Sequence, residues 1–415
     1  MSSVVVLDEL TINKIAAGEV VDRPSSIVKE LVENSIDAGA SCISVEIKNG
    51  GISYIKIVDD GSGFKSDDVE LAFERHATSK IRCESDILNI LSMGFRGEAL
   101  ASVAAISKVE LVTKNKDEYT GTKIKLESGC VVSKEEVAYN KGSAITIRDI
   151  FFNTPARFKF LKKDYTEASY IYEVIVKLAL SHSDISFKYI NNNKEIISTL
   201  GNNDIKGDIY NIFGSDIKNN LIDVCYTENN ITISGVIGNN KISRSSRTNE
   251  YIYVNNRYIK NKIITSAIEK AYDQNITINK YPFVVLNINI KPNLIDVNVH
   301  PSKLEIKFEN EQDIYKAVYD AVKTSINKYN ENSSPFTLNS TQQKSFNDIN
   351  NDVNTLKNIS NNTNNLNDLN NLNNNIKKDV NINLNESIDK INNSNNSNNL
   401  NNLNKKSWEY IPDIT

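Results

Sequence analysis

The sequence predicts two folded domains of the α/β or α+β class, followed by a tail that does not fold. Three observations support this prediction. Residues 24–39 carry a helical apolar pattern, and residues 42–57 alternate apolar and polar side chains as paired strands do. Beyond residue 330, the varied composition of a globular chain gives way to a run that is rich in asparagine.

The composition of the 415 residues is that of a globular protein, with 40% hydrophobic residues, 24% charged residues and a net charge of −4. This length accommodates two or three domains. No CxxC pair occurs, which argues against a zinc ribbon, and the cysteines are scattered at Cys42, Cys83, Cys130 and Cys225. No segment approaches the roughly 20 apolar residues of a spanning helix, so we expect a cytoplasmic protein with no membrane partner.

Residues 331–415 form the predicted tail, in which about a third of the residues are asparagine. The segment has almost no aromatic residue before Trp408, so it cannot bury enough surface to offset its ordering entropy. This composition fits a segment that serves as a flexible tether. It fits equally well a segment whose asparagine, isoleucine and lysine content follows from AT-rich codons, and both explanations predict disorder. Because the tail leads to no further domain, we expect that a domain is missing, by truncation or by nature.

A second boundary is predicted near residues 201–207, where the chain reads GNNDIKG. Upstream, the pattern predicts helices, strands and glycine-rich hairpins. Downstream, it predicts alternating strands around the helical stretch KIITSAIEKAY. We therefore expect domains at residues 1–205 and 206–330, with the tail at residues 331–415.

The first predicted helix begins at Pro24, a favoured first position, and ends before Gly39, which suits a C-terminal cap. Its apolar residues share one face. Glu30, Asn34 and Asp37 cluster on the other face, because they are spaced i, i+4 and i+7. Taken alone, this pattern fits a solvated polar stripe better than a catalytic face, so the neighbouring segments must decide.

The second predicted strand follows an Asn-Gly hairpin turn and ends in the sequence VDDGSGF. Asp59 stands at the strand end, and the spaced Gly61 and Gly63 would let a flat ring approach the backbone while the carboxylate accepts from an amine. This signal is weak on its own, because acidic residues are common in glycine turns.

A glycine loop opens a helix in the segment GFRGEALASV, which begins at Gly94. The free amides of such a helix start can hold phosphates, and glycines permit close approach. No GxxxxGK[ST] motif occurs in the chain, so a nucleotide site here would not be a P-loop.

The motifs ExxxNxxDAGA, DxGxG and GFRGEAL, in this order, resemble the GHKL ATPases: gyrase-type topoisomerases, heat-shock 90-type chaperones, histidine kinases and MutL. The segments IAAGEVVDRPSSIVKELVENSIDAGA, RHATSKI, GFRGEALASV, FFNTPARFKFL and DVNVHPSKLEIKF are similar to the MutL family of DNA mismatch-repair proteins. The resemblance spans residues 1 to about 330. It implies a GHKL or Bergerat-type α/β sandwich ATPase domain, then a smaller ribosomal-protein-like α/β transducer domain, with ATP and Mg²⁺ as cofactors.

The resemblance also implies roles for single residues. Glu30 would be the general base that orients the attacking water, and Asn34 would hold Mg²⁺ through its side-chain oxygen. Asp59 would bind the adenine amine, with Asp37 as a supporting partner. Lys303 of the second domain would reach the γ-phosphate and stabilise developing charge. The other residues that the resemblance places at the nucleotide are Gly61, Gly63, Thr78, Ser79, Lys80, Gly94, Phe95, Arg96, Gly97, Glu98, Ala99, Leu100 and Ser143.

Two positions depart from the family pattern. The family has asparagine after its acid, whereas this chain has Asp60 after Asp59, a change that is harmless only if Asp60 points outward. Ser143 stands where the family has threonine, and it keeps the hydroxyl. For His76 and His300 the family implies no proton transfer, so we expect structural roles.

The resemblance implies a Mg²⁺-dependent ATPase, nucleoid-associated in a prokaryote, whose ATP-bound N-terminal domains form a homodimer and which works with nonspecific DNA and a partner of the MutS type. Two basic runs could contact DNA phosphates. One is Arg157, Lys159, Lys162 and Lys163; the other, which the resemblance favours, is Arg257, Lys260 and Lys262. No nuclease signature DQHAxxERxxxE occurs, so we expect no endonuclease activity from this polypeptide. Two alternatives stay open, an ATP-gated DNA clamp with negligible turnover and another GHKL enzyme such as a topoisomerase subunit.

Overall fold

The first helix of the structure is Pro24–Asp37 (α1), as the apolar pattern predicts. Proline suits its first position, since the first helical turn leaves its N–H groups unbonded anyway. Val28, Leu31 and Val32 are buried on the apolar face. In this computed structural model the described residues are 18, 21–80, 93–94, 97–296 and 305–333.

The first sheet is mixed and contains eight of the described strands. Its strands are β1 Cys42–Lys48, β2 Tyr54–Asp59, β3 Lys108–Lys114, β4 Gly121–Glu127, β5 Cys130–Val137, β6 Gly142–Arg148, β7 Ser186–Asn191 and β8 Lys194–Ser198. They lie in the order β5-β4-β3-β6-β2-β1-β7-β8, and the pair β1–β7 is parallel while the other neighbours are antiparallel. The predicted hairpin of β1 and β2 is confirmed, with Val45 opposite Ile57.

Helices pack against this sheet and against one another. They are α2 Asp68–Leu71, α3 Ala99–Ile106, α4 Pro155–Phe158, α5 Asp164–Ser181, α6 Ile205–Phe213, α7 Ser215–Lys218 and a 3₁₀ turn Asn49–Gly51. Helices α1 and α5 contact each other and the strands β1, β2 and β7. Ile43, Val45 and Ile47 of β1 are buried in the resulting core, because alternate side chains of a strand point to one face.

The second sheet has its own pair of long helices. Its elements are β9 Leu221–Glu228, β10 Ile231–Gly238, β11 Glu250–Val254, β12 Arg257–Tyr258, α8 Lys262–Tyr272, β13 Val284–Asn289, β14 Ile295–Asp296, β15 Lys307–Phe308, α9 Glu311–Ser333 and 3₁₀ turns Asn240–Ile242, Arg247–Asn249 and Pro292–Leu294. The main strands lie in the order β12-β11-β13-β10-β9, and β14 pairs with β15 separately. Helices α8 and α9 pack together.

The two sheets meet through α5. The hydroxyl of Tyr253 in β11 donates to the carbonyl of Lys177 in α5 at 2.8 Å, and the Lys177 ammonium lies 4.8 Å from the centre of the Tyr258 ring. These contacts hold β11 and the edge strand β12 against α5.

The mixed α/β class is confirmed by both sheets. One compact unit, Met1–Ser334, contains all of the described residues; the boundary near residues 201–207 and the disorder of the tail stay predictions. Within the described ranges, no helix combines the length and apolar character that crossing a bilayer requires.

Candidate functional site

A cavity of about 1310 Å³ opens beside the polar face of α1. The predicted site residues on its wall are Glu30, Asn34, Asp37, Asp59, Gly63, Thr78, Ser79, Lys80, Gly94, Gly97, Glu98, Ala99, Leu100 and Ser143. Gly61 is described but does not line the cavity. Phe95, Arg96, His300 and Lys303 lie outside the described residues. The polar stripe of α1 therefore faces a cavity rather than bulk water.

Asp37, at the end of α1, joins two distant segments of the wall. Its Oδ2 accepts from the Lys80 ammonium at 2.6 Å and from the Gly94 N–H at 3.1 Å, and its Oδ1 accepts from the Met93 N–H at 2.9 Å. The side chain is only 9% exposed, so these charge-assisted bonds are poorly screened. Asp37 thus holds the glycine segment and the RHATSK segment against the helix.

Asn34 presents its side-chain oxygen to the cavity. This Oδ1 accepts from the Lys80 ammonium at 2.9 Å. An amide oxygen beside a carboxylate is the donor set that a hard cation such as Mg²⁺ prefers, and here a cationic group already stands at that oxygen. The residues present therefore fit the predicted metal.

Glu30 lies one turn before Asn34 on the same face, and its side chain is 33% exposed. The Lys29 ammonium donates to Glu30 at 3.3 Å and to Glu33 at 3.1 Å. Burial opposes the charge of Lys29, but the carboxylates of Glu33 and Glu30 outweigh it and raise the Lys29 pKa. Sequence reasoning missed Lys29, although its i,i+4 spacing from Glu33 was a readable signal.

Asp59, at the end of β2, is held by two hydrogen bonds. Its Oδ2 accepts from the Ser35 hydroxyl at 2.9 Å, and its Oδ1 accepts from the Gly61 N–H at 3.0 Å. Burial raises the pKa of Asp59, and the bonds from Ser35 and Gly61 partly offset that shift. The local sequence pattern did not identify Ser35, because Ser35 lies in α1 whereas its partner Asp59 lies in β2.

The two glycines after Asp59 serve close packing of the backbone. Gly63 has φ +65°, and a Cβ there would lie 2.2 Å from the Lys114 carbonyl oxygen. A Cβ on Gly61 would lie 2.9 Å from the Cβ of Ala38 and from Oδ1 of Asp59. Both positions exclude a side chain for reasons that the sequence alone did not reveal.

Asp60 points away from the cavity. Its carboxylate accepts from the Ser41 N–H at 2.8 Å, the Ser41 hydroxyl at 2.5 Å and the Cys42 N–H at 2.9 Å. Burial alone would raise the pKa of Asp60, but these hydrogen bonds outweigh it and lower the pKa. Of the two orientations considered from the sequence, the structure has the outward one.

Ser143, at the start of β6, shares a buried hydrogen bond with a neighbouring threonine. Its hydroxyl lies 3.0 Å from that of Thr113, which also donates to the Gly142 carbonyl at 3.0 Å and accepts from the Phe64 N–H at 3.0 Å. Thr113 was not identified from the sequence. It positions Ser143 on the cavity wall and ties the glycine turn to β3.

The glycine segment and the RHATSK segment touch where α3 begins. Gly97 has φ +62°, and a Cβ there would lie 2.4 Å from the Ala77 carbonyl oxygen. Nearby, the His76 ring nitrogen Nδ1 lies 3.4 Å from a Glu98 carboxylate oxygen. The structure therefore brings together two segments that the sequence separates by about twenty residues.

The basic run of the second sheet divides in two. Arg257 and Lys260 line the cavity, whereas Lys262 is exposed and does not. The Arg257 guanidinium donates to the Met93 carbonyl at 3.3 Å. Burial lowers the pKa of Arg257, and the carboxylates of Glu33, Asp37 and Glu30 act in the opposite direction. The sequence grouped these three cations as one DNA-binding surface, and only two of them share a wall.

The other basic run lies around α4. Arg157 packs over the backbone of Gly18, where an added Cβ would be 1.1 Å from its guanidinium, and lies 3.5 Å from the Val21 carbonyl. Lys159, Lys162 and Lys163 are exposed. Arg157 therefore packs against the backbone, and DNA contact by this run stays a prediction.

Two family models match the chain. A model described as "Histidine kinase-, DNA gyrase B-, and HSP90-like ATPase" matches residues 23–149, and one described as "DNA mismatch repair protein, C-terminal domain" matches residues 209–327. The first match contains the helix, strand and glycine segments that form most of the cavity wall. The second contains β12 and α8.

Over the aligned region, curated relatives are about half identical to this chain. A DNA mismatch repair protein MutL of Thermoanaerobacter sp. (strain X514) is 50% identical over 330 residues, which are 80% of this chain and 54% of the relative. A MutL of Clostridium acetobutylicum is 47% identical over 351 residues, which are 84% of this chain and 56% of that protein. The chain thus spans about half the length of the curated relatives it matches.

Solved structures share the fold. A crystal structure of the N-terminal domain of a DNA repair protein has a TM-score of 0.65 and 27% identity, covering 77% of this chain and 98% of that one. The Aquifex aeolicus MutL ATPase domain complexed with ADP has a TM-score of 0.52 and 25% identity, covering 72% of this chain and 98% of that one. The predicted GHKL-type architecture is therefore confirmed for this part of the chain.

Proposed function

Over the region that aligns with these relatives, the chain belongs to the MutL family of DNA mismatch-repair proteins, and from this premise we propose that it binds and hydrolyses ATP in the cavity beside α1. The observation that carries the proposal is the pairing of Glu30 and Asn34, one helical turn apart, on a wall bounded by glycine segments. A polar helix face with no binding role would be exposed to bulk water instead of lining a cavity.

Glu30 is the proposed general base. Its carboxylate faces the cavity, where it can accept the proton of a water that attacks the γ-phosphate. Lys29, 3.3 Å away, fixes this carboxylate on the helix surface. Asn34 would hold Mg²⁺ through Oδ1 together with phosphate oxygens, and the metal would supply neutralisation of phosphate charge.

The other residues of the cavity wall suit the adenine base at one end of the nucleotide and the phosphates at the other. Asp59 is a hydrogen-bond acceptor at the strand end for an exocyclic amine, and Ser143 offers a hydroxyl beside it. Lys80 and the Gly94 segment suit the phosphates, because an ammonium attracts anions and a glycine lets a phosphate approach the backbone closely. The MutL resemblance adds Lys303 as the contact to the γ-phosphate.

Steady-state release of phosphate from ATP tests the proposal. We expect a Mg²⁺-dependent rate that Glu30→Ala lowers at least 100-fold while binding of ATP is retained, because a base acts on the chemical step. Glu135→Ala is the matched control, since this carboxylate is 55% exposed on β5 and does not line the cavity. Equal rates in Glu30→Ala and in the unmodified protein would refute the role of Glu30.

The biological role that we propose follows the family. ATP binding would drive homodimerisation of the N-terminal domains, and the dimer would bind DNA nonspecifically and engage a mismatch-recognition partner of the MutS type. Sedimentation with a non-hydrolysable ATP analogue and Mg²⁺ tests the first step. An unchanged monomer mass at saturating analogue would contradict it.

A further inference from the structure

Arg257 opens β12, the edge strand of the second sheet, yet its side chain reaches the glycine segment of the first domain. The guanidinium donates to the Met93 carbonyl at 3.3 Å, across 164 residues of sequence. Among the described strands, β12 pairs with β11 alone, and Val254 stands opposite Arg257. Helix α5 contacts Tyr253 and Tyr258 of these strands, which sets the direction of the Arg257 side chain. The strand thus presents Arg257 to the cavity.

The Met93 peptide groups are held from both sides. The Met93 N–H donates to Asp37 at 2.9 Å, and the Met93 carbonyl accepts from Arg257. The next amide, that of Gly94, donates to the same Asp37 carboxylate at 3.1 Å. A short path of hydrogen bonds therefore runs from the second sheet to the carboxylate that also pairs with Lys80.

Charge around Arg257 favours this inward position. The carboxylates of Glu30, Glu33 and Asp37 lie close enough to oppose the pKa lowering that burial causes. A guanidinium that lines a cavity and bonds to a backbone carbonyl is poorly placed for a DNA duplex, whose phosphates need exposed cations. Lys262, on the same run, is exposed and outside the cavity wall.

We propose, on the premise of the ATP-binding function above, that Arg257 is a positioning residue of the nucleotide pocket rather than a DNA contact. It holds the Met93–Gly94 segment against Asp37 and so links the second sheet to the part of the wall that meets phosphate. The nucleotide and the second domain then affect each other through one backbone segment.

Paired measurements on the full chain test this proposal. Arg257→Ala is expected to weaken binding of a fluorescent ATP analogue about ten-fold, since a hydrogen bond to a charged donor is lost. Arg257→Lys is expected to recover part of that loss, and duplex DNA affinity should change less than two-fold. Lys262→Ala should leave nucleotide affinity unchanged and weaken DNA binding. The slope of log DNA affinity against log salt concentration should fall by about one in magnitude.

Amide hydrogen exchange gives a readout that needs no nucleotide. In Arg257→Ala, the Met93 and Gly94 amides are expected to exchange about ten-fold faster, while the amides of the β10–β13 pair keep their protection. Arg247→Ala is the matched control, because this arginine of the second domain pairs with Glu269 at the surface. It should change neither exchange at Met93 nor nucleotide affinity.

The outcomes separate the two proposals. If the unmodified protein binds no ATP analogue, the proposed function fails, whereas the exchange rates still decide the role of Arg257. Unaltered exchange at Met93 and Gly94, or a loss of DNA affinity equal to that of Lys262→Ala, would overturn the role of Arg257. If Arg257→Ala unfolds, Arg257→Lys and Arg257→Gln carry the same comparison.

Discussion

The Lys80 ammonium donates to the Asn34 side-chain oxygen at 2.9 Å, so the amide proposed to hold Mg²⁺ is already bonded to a cationic group. The same ammonium lies 2.6 Å from the Asp37 carboxylate. A Mg²⁺ ion held at the proposed site would therefore have to share this oxygen with Lys80 or displace the ammonium from it.

Lys80→Met is expected to lower the free energy of unfolding by about 1–2 kcal/mol at low salt, because Asp37 loses its charged partner in a pocket where it is 9% exposed. Urea denaturation without nucleotide measures this change. Lys116→Met is the control, since Lys116 is exposed, and it should stay within about 0.5 kcal/mol. Equal stability of Lys80→Met and the unmodified protein would disprove the pairing.

Asp59→Asn and Asp60→Asn are expected to behave differently, although the residues are neighbours. Asp59 lines the cavity, so its substitution should weaken ATP binding at least ten-fold, because a neutral amide with one acceptor oxygen replaces the charged acceptor proposed for the adenine amine. Asp60 bonds to Ser41 and Cys42, so its substitution should change ATP affinity less than two-fold. Calorimetric titration of ATP measures both affinities, and a loss in both variants would mean that Asp60 also faces the nucleotide.

Gly63→Ala and Gly39→Ala separate backbone strain from steric overlap. Both glycines have positive φ, +65° and +69°, which costs an alanine about 1–2 kcal/mol. A Cβ at position 39 meets nothing within 4 Å, whereas one at position 63 would lie 2.2 Å from the Lys114 carbonyl. We expect Gly63→Ala to be the more destabilising by at least about 1 kcal/mol in urea denaturation. Equal losses would show that the Gly63 turn relaxes freely.

Glu250 is expected to make stability depend on pH. Burial raises its pKa to about 7, nearby Glu269 adds to the rise, and Arg247 opposes it. Its Oε1 is buried without a hydrogen-bond partner among the described residues. Since the folded state binds this proton more tightly than the unfolded chain, the stabilisation is complete below the ordinary pKa of 4.5 and is lost as the pH rises through about 7.

Glu250→Gln should therefore raise the free energy of unfolding at pH 8, by about 1–3 kcal/mol, and change it little at pH 4.5. Urea denaturation across pH 4.5–8 gives the comparison. The exposed Glu135→Gln should keep the slope of the unmodified protein. A Glu250→Gln variant with that same slope would mean that Glu250 ionises normally in the folded state.

The local sequence pattern was sufficient to predict the helix and the hairpin that carry the site residues. The spacing of Glu30, Asn34 and Asp37 placed them on one helix face, and the structure has that face on a cavity. The Asn-Gly turn predicted the hairpin that ends at Asp59. These predictions succeeded because 3.6-residue and two-residue periodicities are properties of a short segment.

The sequence by itself determined the fold class and which residues share a helix face or a strand end, because each follows from neighbours along the chain. Only the tertiary structure decided which distant groups meet: Lys80 and Met93 at Asp37, Thr113 at Ser143, and Arg257 at the Met93 carbonyl. These contacts depend on how two sheets and their loops pack, and a side chain's partner across that packing leaves no periodic signal in the sequence.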